Sequence, residues 1–353
     1  MVWFEYFKIT PGPPQAQHLS AIRSKVPPLR LPQPCGKTIT SLDELLSFCG
    51  LAATTAPYQL ASHPFTVKVP DAFANNITKG DWFDPLLLQV LPRAQECSPP
   101  PGHFKKDPVG DAAAVAVPGV LHKYRGRVLL LASSTCAIHC RYCFRREGCC
   151  TSLPTDGSRD KEVMEYLNND PTITEVIFSG GDPLMLSDLR IRELLNRIKT
   201  IPHLATLRIH TRVPTILPSR ITTELLRLLK DATEHFTGII VTHVNHPNEI
   251  SREAVARLLS LRNTGMLLLN QSVLLRGIND SAETLGALSE RLIAAGVIPY
   301  YLHQLDRVCG SHHFEVDEAE GKKIITRMQA EQAGYAVPRY VREIPEAPGK
   351  HPL

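Results

Sequence analysis

From residue 127 onward, short apolar runs alternate with longer helix-like segments. The runs span 127–132, 175–179, 206–210, 238–242, 266–271 and 297–302. Each is about five residues long and rich in aliphatic side chains, the texture of a strand inside a parallel sheet. The intervening segments 188–198, 223–229, 251–261 and 282–295 read as helices. Strand and helix in strict alternation predict an α/β fold with right-handed crossovers, and six such units predict a partial, TIM-like (βα)6 barrel over residues 115–310. In such sheets functional groups gather at the carboxyl ends of the strands. The polar motifs obey that rule. A cysteine cluster follows the first run, Gly180-Gly181-Asp182 the second and Arg212 the third. His243-Val244-Asn245-His246 follows the fourth, and His303 to Asp306 the sixth.

Upstream the pattern is weaker. Residues 1–40 are Pro-rich, and many of the 29 prolines fall before residue 120. Apolar residues remain interleaved, which predicts turns and short helices rather than disorder. Ser41-Leu42-Asp43-Glu44 has the form of a capping box, opening a helix that carries Leu45, Leu46, Phe48 and Leu51. Residues 82–92 give another apolar stretch, while 98–101 and 107–108 read as loop. The expected organisation is a helical, Pro-rich extension over 1–114, the barrel over 115–310 and a C-terminal segment over 311–353.

Composition changes this picture only by exclusion. A net charge of +4 without a dense Lys/Arg run gives no footprint for nucleic acid. No segment approaches the roughly 18 uncharged apolar residues of a membrane span. The start, Met1 to Lys8, carries Glu5 and Lys8 and lacks a signal-peptide core, so the expected compartment is the cytosol. The nine cysteines are then expected to be thiols, and a tight cluster among them reads as metal-binding or catalytic.

Cys136-Ala-Ile-His-Cys140-Arg-Tyr-Cys143 supplies three such thiols in a loop after a strand. Thiolates suit iron–sulfur clusters and zinc. Three cysteines can hold three irons of a [4Fe–4S] cluster and leave the fourth iron open to the amino and carboxylate groups of a methionine. The rival is a structural zinc with a fourth ligand from Cys149, Cys150 or a histidine, but zinc sites usually use two separated cysteine pairs. Cys35, Cys49, Cys97 and Cys309 lack partner spacing and read as core or surface thiols; Cys149-Cys150 reads at most as redox-sensitive. The spacing, with Phe144 after the third cysteine, resembles the radical S-adenosylmethionine superfamily. That resemblance implies a [4Fe–4S] cluster on Cys136, Cys140 and Cys143 that cleaves S-adenosylmethionine. Gly180-Gly181 permits close backbone approach and offers N–H groups to a ligand, although it also suits a plain strand-to-helix turn. By the same resemblance, Ser179, Gly180, Gly181 and Asp182 form the loop that binds the methionine amino group.

Further motifs narrow the family. They are His122-Lys-Tyr-Arg-Gly-Arg127, Cys140-Arg-Tyr-Cys-Phe-Arg-Arg146, Phe178-Ser-Gly-Gly-Asp-Pro-Leu184 and Thr242-His-Val-Asn-His-Pro-Asn-Glu249. Tyr300-Tyr-Leu-His-Gln-Leu-Asp306, Gly334-Tyr-Ala-Val-Pro338 and the loop around Lys350 complete the set. Together, over most of residues 75–353, they resemble the lysine 2,3-aminomutase family, whose fold is a partial barrel of the radical S-adenosylmethionine type. The resemblance implies that Lys350 holds pyridoxal 5′-phosphate, which Lys123 and Arg127 also contact. Arg145 is implied to pair with the substrate carboxylate and Asp306 with its terminal ammonium. Glu343 stands where free-lysine enzymes carry a second aspartate for that ammonium. His243 and His246 read equally as pocket groups or as structural histidines.

Within the family the chain is similar to the branch that makes (R)-β-lysine from L-lysine for attachment to elongation factor P. The implied partners are L-lysine, a one-electron reductant such as flavodoxin, and elongation factor P with its lysyl-transferring ligase. Free-lysine enzymes continue with a zinc-binding, oligomerising segment, whereas here the sequence stops three residues after Lys350, so homo-oligomer formation is left open. Two departures from the family pattern are Pro345-Glu-Ala-Pro-Gly349 in place of a glycine-rich run and Gly148-Cys149-Cys150 in place of a more aromatic stretch. A glutamate substrate is the enzymatic rival, and Asp306 would repel its side chain. Free-lysine catabolism is a further competing role, and a non-catalytic, metal-stabilised binding module is the rival from outside enzymology.

Overall fold

All six apolar runs form strands, each within about two residues of its expected bounds. The computed structural model describes residues 36–61, 65–146 and 158–353. A small antiparallel pair, β1 (Thr38–Ile39) and β2 (Val69–Pro70), lies in the N-terminal region. The main sheet contains β3 (Val115–Val117), β4 (Val120–Tyr124), β5 (Arg127–Ser133), β6 (Glu175–Gly180) and β7 (Thr206–Thr211). It continues through β8 (Thr237–His243), β9 (Leu267–Val273), β10 (Ile298–His303), β11 (Arg339–Arg342) and β12 (His351–Pro352). The ten strands lie in chain order. From β5 to β11 every neighbouring pair is parallel, and antiparallel hairpins add β3 and β4 at one edge and β12 at the other. The sheet is therefore an open, partial barrel. The motif 122–127 leads into β5, its residues occupying the end of β4 and the turn between the two strands, where Gly126 adopts φ +78°.

The N-terminal helices are α1 (Leu42–Cys49), α2 (Asp71–Ala74) and α3 (Pro85–Leu88). Ser41 caps α1 by accepting from the Glu44 amide at 3.2 Å. The returning Glu44 carboxylate accepts from the Thr40 amide at 3.1 Å, one residue before the cap. Gly50, at φ +68°, ends α1 in the left-handed region, so Leu51 lies beyond the helix expected to carry it. The apolar stretch 82–92 yields only one helical turn, α3, because Asp84 caps it at Leu86 and Leu87 and Gln89 ends it.

Crossover helices are α4 (Asp160–Asn169), α5 (Asp188–Ile198), the short α6 (Val213–Ile216), α7 (Thr223–Thr233), α8 (Arg252–Arg262) and α9 (Ala282–Ala294). After β10 comes α10 (Glu318–Glu331). Ser187, Thr222, Ser251 and Ser281 cap α5, α7, α8 and α9, each side-chain oxygen accepting from the amide three residues on. Such caps contribute about 1 kcal/mol apiece.

The strands differ from fully apolar central strands in one respect that creates the site. In β7, Leu207 and Ile209 face the helices and join the main core with Val176, Ile240 and Leu268, whereas Arg208 and His210 face a cavity on the concave side. A second core packs Leu45, Phe73, Leu86 and Leu87 against Ala137 and Ile138 of the cysteine loop. The short N-terminal helices thus form the wall on which that loop rests. Among the described residues, no helix is long and apolar enough to cross a membrane.

Candidate active site

The cysteine loop is pinned by a buried ion cluster. Arg141, between Cys140 and Tyr142, donates from Nε to both Glu96 oxygens at 2.9 and 3.1 Å and from Nη2 at 2.5 Å. Arg146 adds a bond from Nη1 to Glu96 Oε2 at 3.0 Å. The loop's backbone is tied as well, the Arg141 amide donating to the Gln89 carbonyl at 2.9 Å. These bonds fix the chain from which Cys136, Cys140 and Cys143 project into the concave cavity of about 360 Å3. Burial pushes the Cys143 thiol up to about 11, so a metal arriving there would displace a proton.

Gly181 does not offer a ligand the N–H group expected of it. The Gly181 amide donates to the Ser133 carbonyl at 2.6 Å and the Asp182 amide to the Thr135 carbonyl at 2.8 Å. The glycines serve the neighbouring backbone: a Cβ on Gly180 would overlap the Ser133 carbonyl, and one on Gly181 the Thr135 carbonyl. Gly180 also adopts φ +110°. Asp182 turns inward, accepting from Thr211 Oγ1 at 2.7 Å and from the amides of Arg212 and Leu184 at 2.7 and 3.0 Å. The motif therefore locks the end of β6 to the cysteine loop and to the end of β7, while Ser179, both glycines and Asp182 still line the cavity.

Around the same cavity stands a polar array. Arg145 donates from Nε to Asp111 at 3.0 Å and from Nη1 to Ser179 Oγ at 3.2 Å. Lys123 reaches the other Asp111 oxygen at 2.6 Å and the Val109 carbonyl at 2.8 Å. Burial works against the charge on Asp111, but Arg145 and Lys123 hold its carboxyl below the ordinary range. Lys350 pairs directly with Glu343, whose other oxygen accepts from the Tyr124 hydroxyl at 2.5 Å. Burial opposes the Glu343 charge too, and Lys350 and Tyr124 hold it below the usual value. Arg127 sits 4.6 Å from the Tyr124 ring centroid. Asp306 is different: burial, outweighing the nearby Lys350, pushes it up to about 7.

Every expected site residue therefore lines one cavity: the three cysteines, the 179–182 loop, Lys123, Arg127, Arg145, Asp306, Glu343 and Lys350. His243 joins them; burial and then Arg212 pull it down to about 3, leaving a neutral ring. His246 does not, and its Nδ1 instead accepts from the Asn248 amide at 3.2 Å. Cys49 is buried, Cys97 exposed and Cys309 half-buried, whereas Cys35, Glu147, Cys149 and Cys150 lie outside the described residues. Sequence reasoning missed Asp111, which sits in a loop with no periodic signal, and Tyr124, whose partner is 219 residues away.

The residues fit the groups that the motifs imply. Six Lys and Arg side chains against four Asp and Glu line the cavity, an excess of positive charge suited to an anionic phosphate and a carboxylate. Three soft thiols on a loop held from below suit an iron–sulfur cluster.

Comparison with known proteins agrees. Residues 130–285 match the family model described as the Radical SAM superfamily. An L-lysine 2,3-aminomutase of Escherichia coli is 42% identical over 317 residues, spanning 89% of this chain and 92% of its own length. One of Buchnera aphidicola is 41% identical, covering 87% and 90% respectively, and one of Haemophilus influenzae 43%, covering 81% and 84%. With 84 to 92% of those relatives' own lengths matched, this chain belongs to the lysine 2,3-aminomutase family of radical S-adenosylmethionine isomerases.

Proposed function

We propose that the chain converts L-lysine to (R)-β-lysine, with a [4Fe–4S] cluster on Cys136, Cys140 and Cys143, S-adenosylmethionine beside Ser179 to Asp182, and pyridoxal 5′-phosphate held by Lys350. One observation carries this reading: three thiols, the Lys350 amine and the carboxylates of Asp306 and Glu343 line a single cavity. When bound, the cluster and S-adenosylmethionine supply a hydrogen-abstracting radical, and pyridoxal phosphate supplies the conjugated system across which an amine shifts.

The protein's own groups bind and orient. Arg145, turned by Asp111 and Ser179, presents a guanidinium whose planar fork suits the substrate carboxylate. Lys123 and Arg127 supply positive charge for a phosphate. Asp306 and Glu343 receive the terminal ammonium, and a cation placed beside Asp306 favours its charged form. Lys350 would hold the cofactor through its amine, and Glu343 pairs with that amine in the cofactor-free site.

The product's destination, elongation factor P through its lysyl-transferring ligase, is supported by Glu343 in place of the second aspartate. A one-electron reductant such as flavodoxin completes the set of partners. The test is incubation of anaerobically reconstituted protein with L-lysine, S-adenosylmethionine, pyridoxal phosphate and dithionite. Chiral chromatography should show (R)-β-lysine alongside 5′-deoxyadenosine, and absence of both rules out the reading. For the destination, the ligase should charge elongation factor P from this product in preference to L-lysine; equal use of both would remove that assignment.

A further inference from the structure

We infer that Arg212 tunes the reduction potential of the cluster through an N–H···S bond to Cys140, and that the buried carboxylate of Glu249 sets how strongly it does so. The inference rests on the proposed role of Cys140 as an iron ligand. Arg212 lies just past β7, at the end of the strand whose carboxyl terminus faces the cysteine loop. Its Nη1 donates to Cys140 Sγ at 2.7 Å and to the Tyr142 hydroxyl at 2.9 Å. Its Nη2 donates to Gln89 Oε1 at 2.6 Å and to Glu249 Oε2 at 2.9 Å.

The surroundings make these charges matter. Arg212 is 6% exposed and Glu249 fully buried, so water screens neither. The Phe73 ring lies 5.5 Å from the guanidinium. Glu249 is fixed from its other side, where Oε1 accepts from Gln89 Nε2 at 3.1 Å and from the Asn245 and His246 amides at 2.9 and 3.0 Å. The guanidinium is thus clamped between a sulfur and a carboxylate.

A ligating sulfur carries more negative charge after the cluster accepts an electron. A cationic donor on that sulfur stabilises the reduced form more than the oxidised form and raises the potential. Glu249 has the opposite effect, cancelling part of the guanidinium field. The electron itself comes from the one-electron reductant; Arg212 keeps its proton, and no bond forms or breaks there. Arg212 is a positioning and tuning residue, acting on the reaction only through Cys140.

A merely structural role for this network predicts that any disruption acts in one direction. Tuning predicts opposite signs. Wild type, Arg212→Gln, Arg212→Lys and Glu249→Gln should be reconstituted, assayed for iron and sulfide, and titrated against potential with electron paramagnetic resonance. Arg212→Gln should lower the equilibrium constant for reduction about tenfold, a downward shift of about 59 mV for one electron. Arg212→Lys, retaining the charge without the fork, should fall less. Glu249→Gln should shift the potential upward. Equilibrium constants for reduction within twofold of wild type, or shifts of the same sign in Arg212→Gln and Glu249→Gln, overturn the inference. Where Arg212→Gln takes up no iron, Arg212→Lys and Glu249→Gln decide by the same signs, and loss of the cluster from all three variants marks a structural role only. Failure of the underlying assignment looks different, since wild type would then bind no cluster or Cys140→Ala would keep it.

Discussion

Glu96 lies 40 residues before Cys136 in the sequence, yet it holds the cysteine loop from beneath. Its carboxylate accepts three bonds from Arg141 and one from Arg146, and the side chains of all three are 0% exposed. Both guanidinium groups also lie against the Phe65 ring, at 5.0 and 5.2 Å from its centroid. Glu96→Gln would leave two neighbouring buried cations without their shared counter-charge. Removing one partner from a buried ion pair costs about 3–5 kcal/mol. Two stranded cations put this site at the upper end, since they also repel each other in a medium of low polarisability. The bonds from Arg141 Nη1 to the Phe65 carbonyl, 2.6 Å, and from Arg146 Nη1 to the Arg141 carbonyl, 2.8 Å, survive and keep the loss from growing further. Urea denaturation of the metal-free protein measures the change directly, and Tm should fall on the order of 5–10 °C. Iron bound after reconstitution should fall with it, because the loop bearing Cys140 and Cys143 loses its anchor. Replacing Glu96, Arg141 and Arg146 together by methionine should cost less than Glu96→Gln alone, since no charge is then stranded. A Glu96→Gln protein within about 1 kcal/mol of wild type, binding full iron, would refute the argument.

Cys140→Ala should lose bound iron and 5′-deoxyadenosine production together, measured by iron analysis and chromatography. Lys350→Ala should retain iron while borohydride no longer fixes pyridoxal phosphate to the chain, as mass spectrometry of the reduced protein would show. Burial raises Asp306 to about 7 from an ordinary 3.8, so the empty fold favours its protonated form and loses stability as pH rises from about 4 to 7. Lysine binding needs the carboxylate, so kcat/KM should rise with pH through about 7. Asp306→Asn should flatten that rise, raise the lysine KM about 10- to 100-fold, and stabilise the empty protein above about pH 7. Gly181→Ala places a methyl group on the Thr135 backbone and should cost about 1–3 kcal/mol in a melt, with reduced iron uptake because Thr135 leads into Cys136.

The parts of the fold legible in the sequence are those whose signal is local. Apolar runs such as Val176 to Phe178 and Ile239 to Val241 announce strands, and Ser187 or Thr222 followed by spaced leucines announces helices. The cysteine spacing is local as well. What stayed hidden depends on partners far apart in the chain. Arg212 sits 123 residues from Gln89, and Gln89 sits in an apolar stretch that by pattern alone is only core. The Gly180-Gly181 pair was legible as a place needing glycine, but whether a ligand or a neighbouring backbone demanded it required the position of Ser133 and Thr135. Asp111 carries no periodicity at all, because its role comes from two cations that other strands and loops bring to it.

The C-terminal hairpin shows how slight a structural signal can place a side chain in the cavity. β12 has two residues, one of them proline, and its pattern predicts no strand. Yet its register is firm: Val341 pairs with Pro352 and Arg342 with His351. Continuing that antiparallel register by one step sets Lys350 opposite Glu343, which is the ion pair observed. The Leu353 amide donates to the Tyr340 carbonyl at 3.0 Å, and its side chain packs on the main core, so the register is held from beyond the strand as well as within it. A slip of one residue would turn Lys350 to the opposite face, away from the cavity. The proline sits at the sheet edge, where its missing N–H leaves no inner ladder bond unmade. Two ladder pairs and one partly buried leucine thus do what a long strand does elsewhere. They fix the lysine beside the carboxylate that holds its ammonium, a placement that the motif around Lys350 suggests and that no apolar periodicity near it could announce.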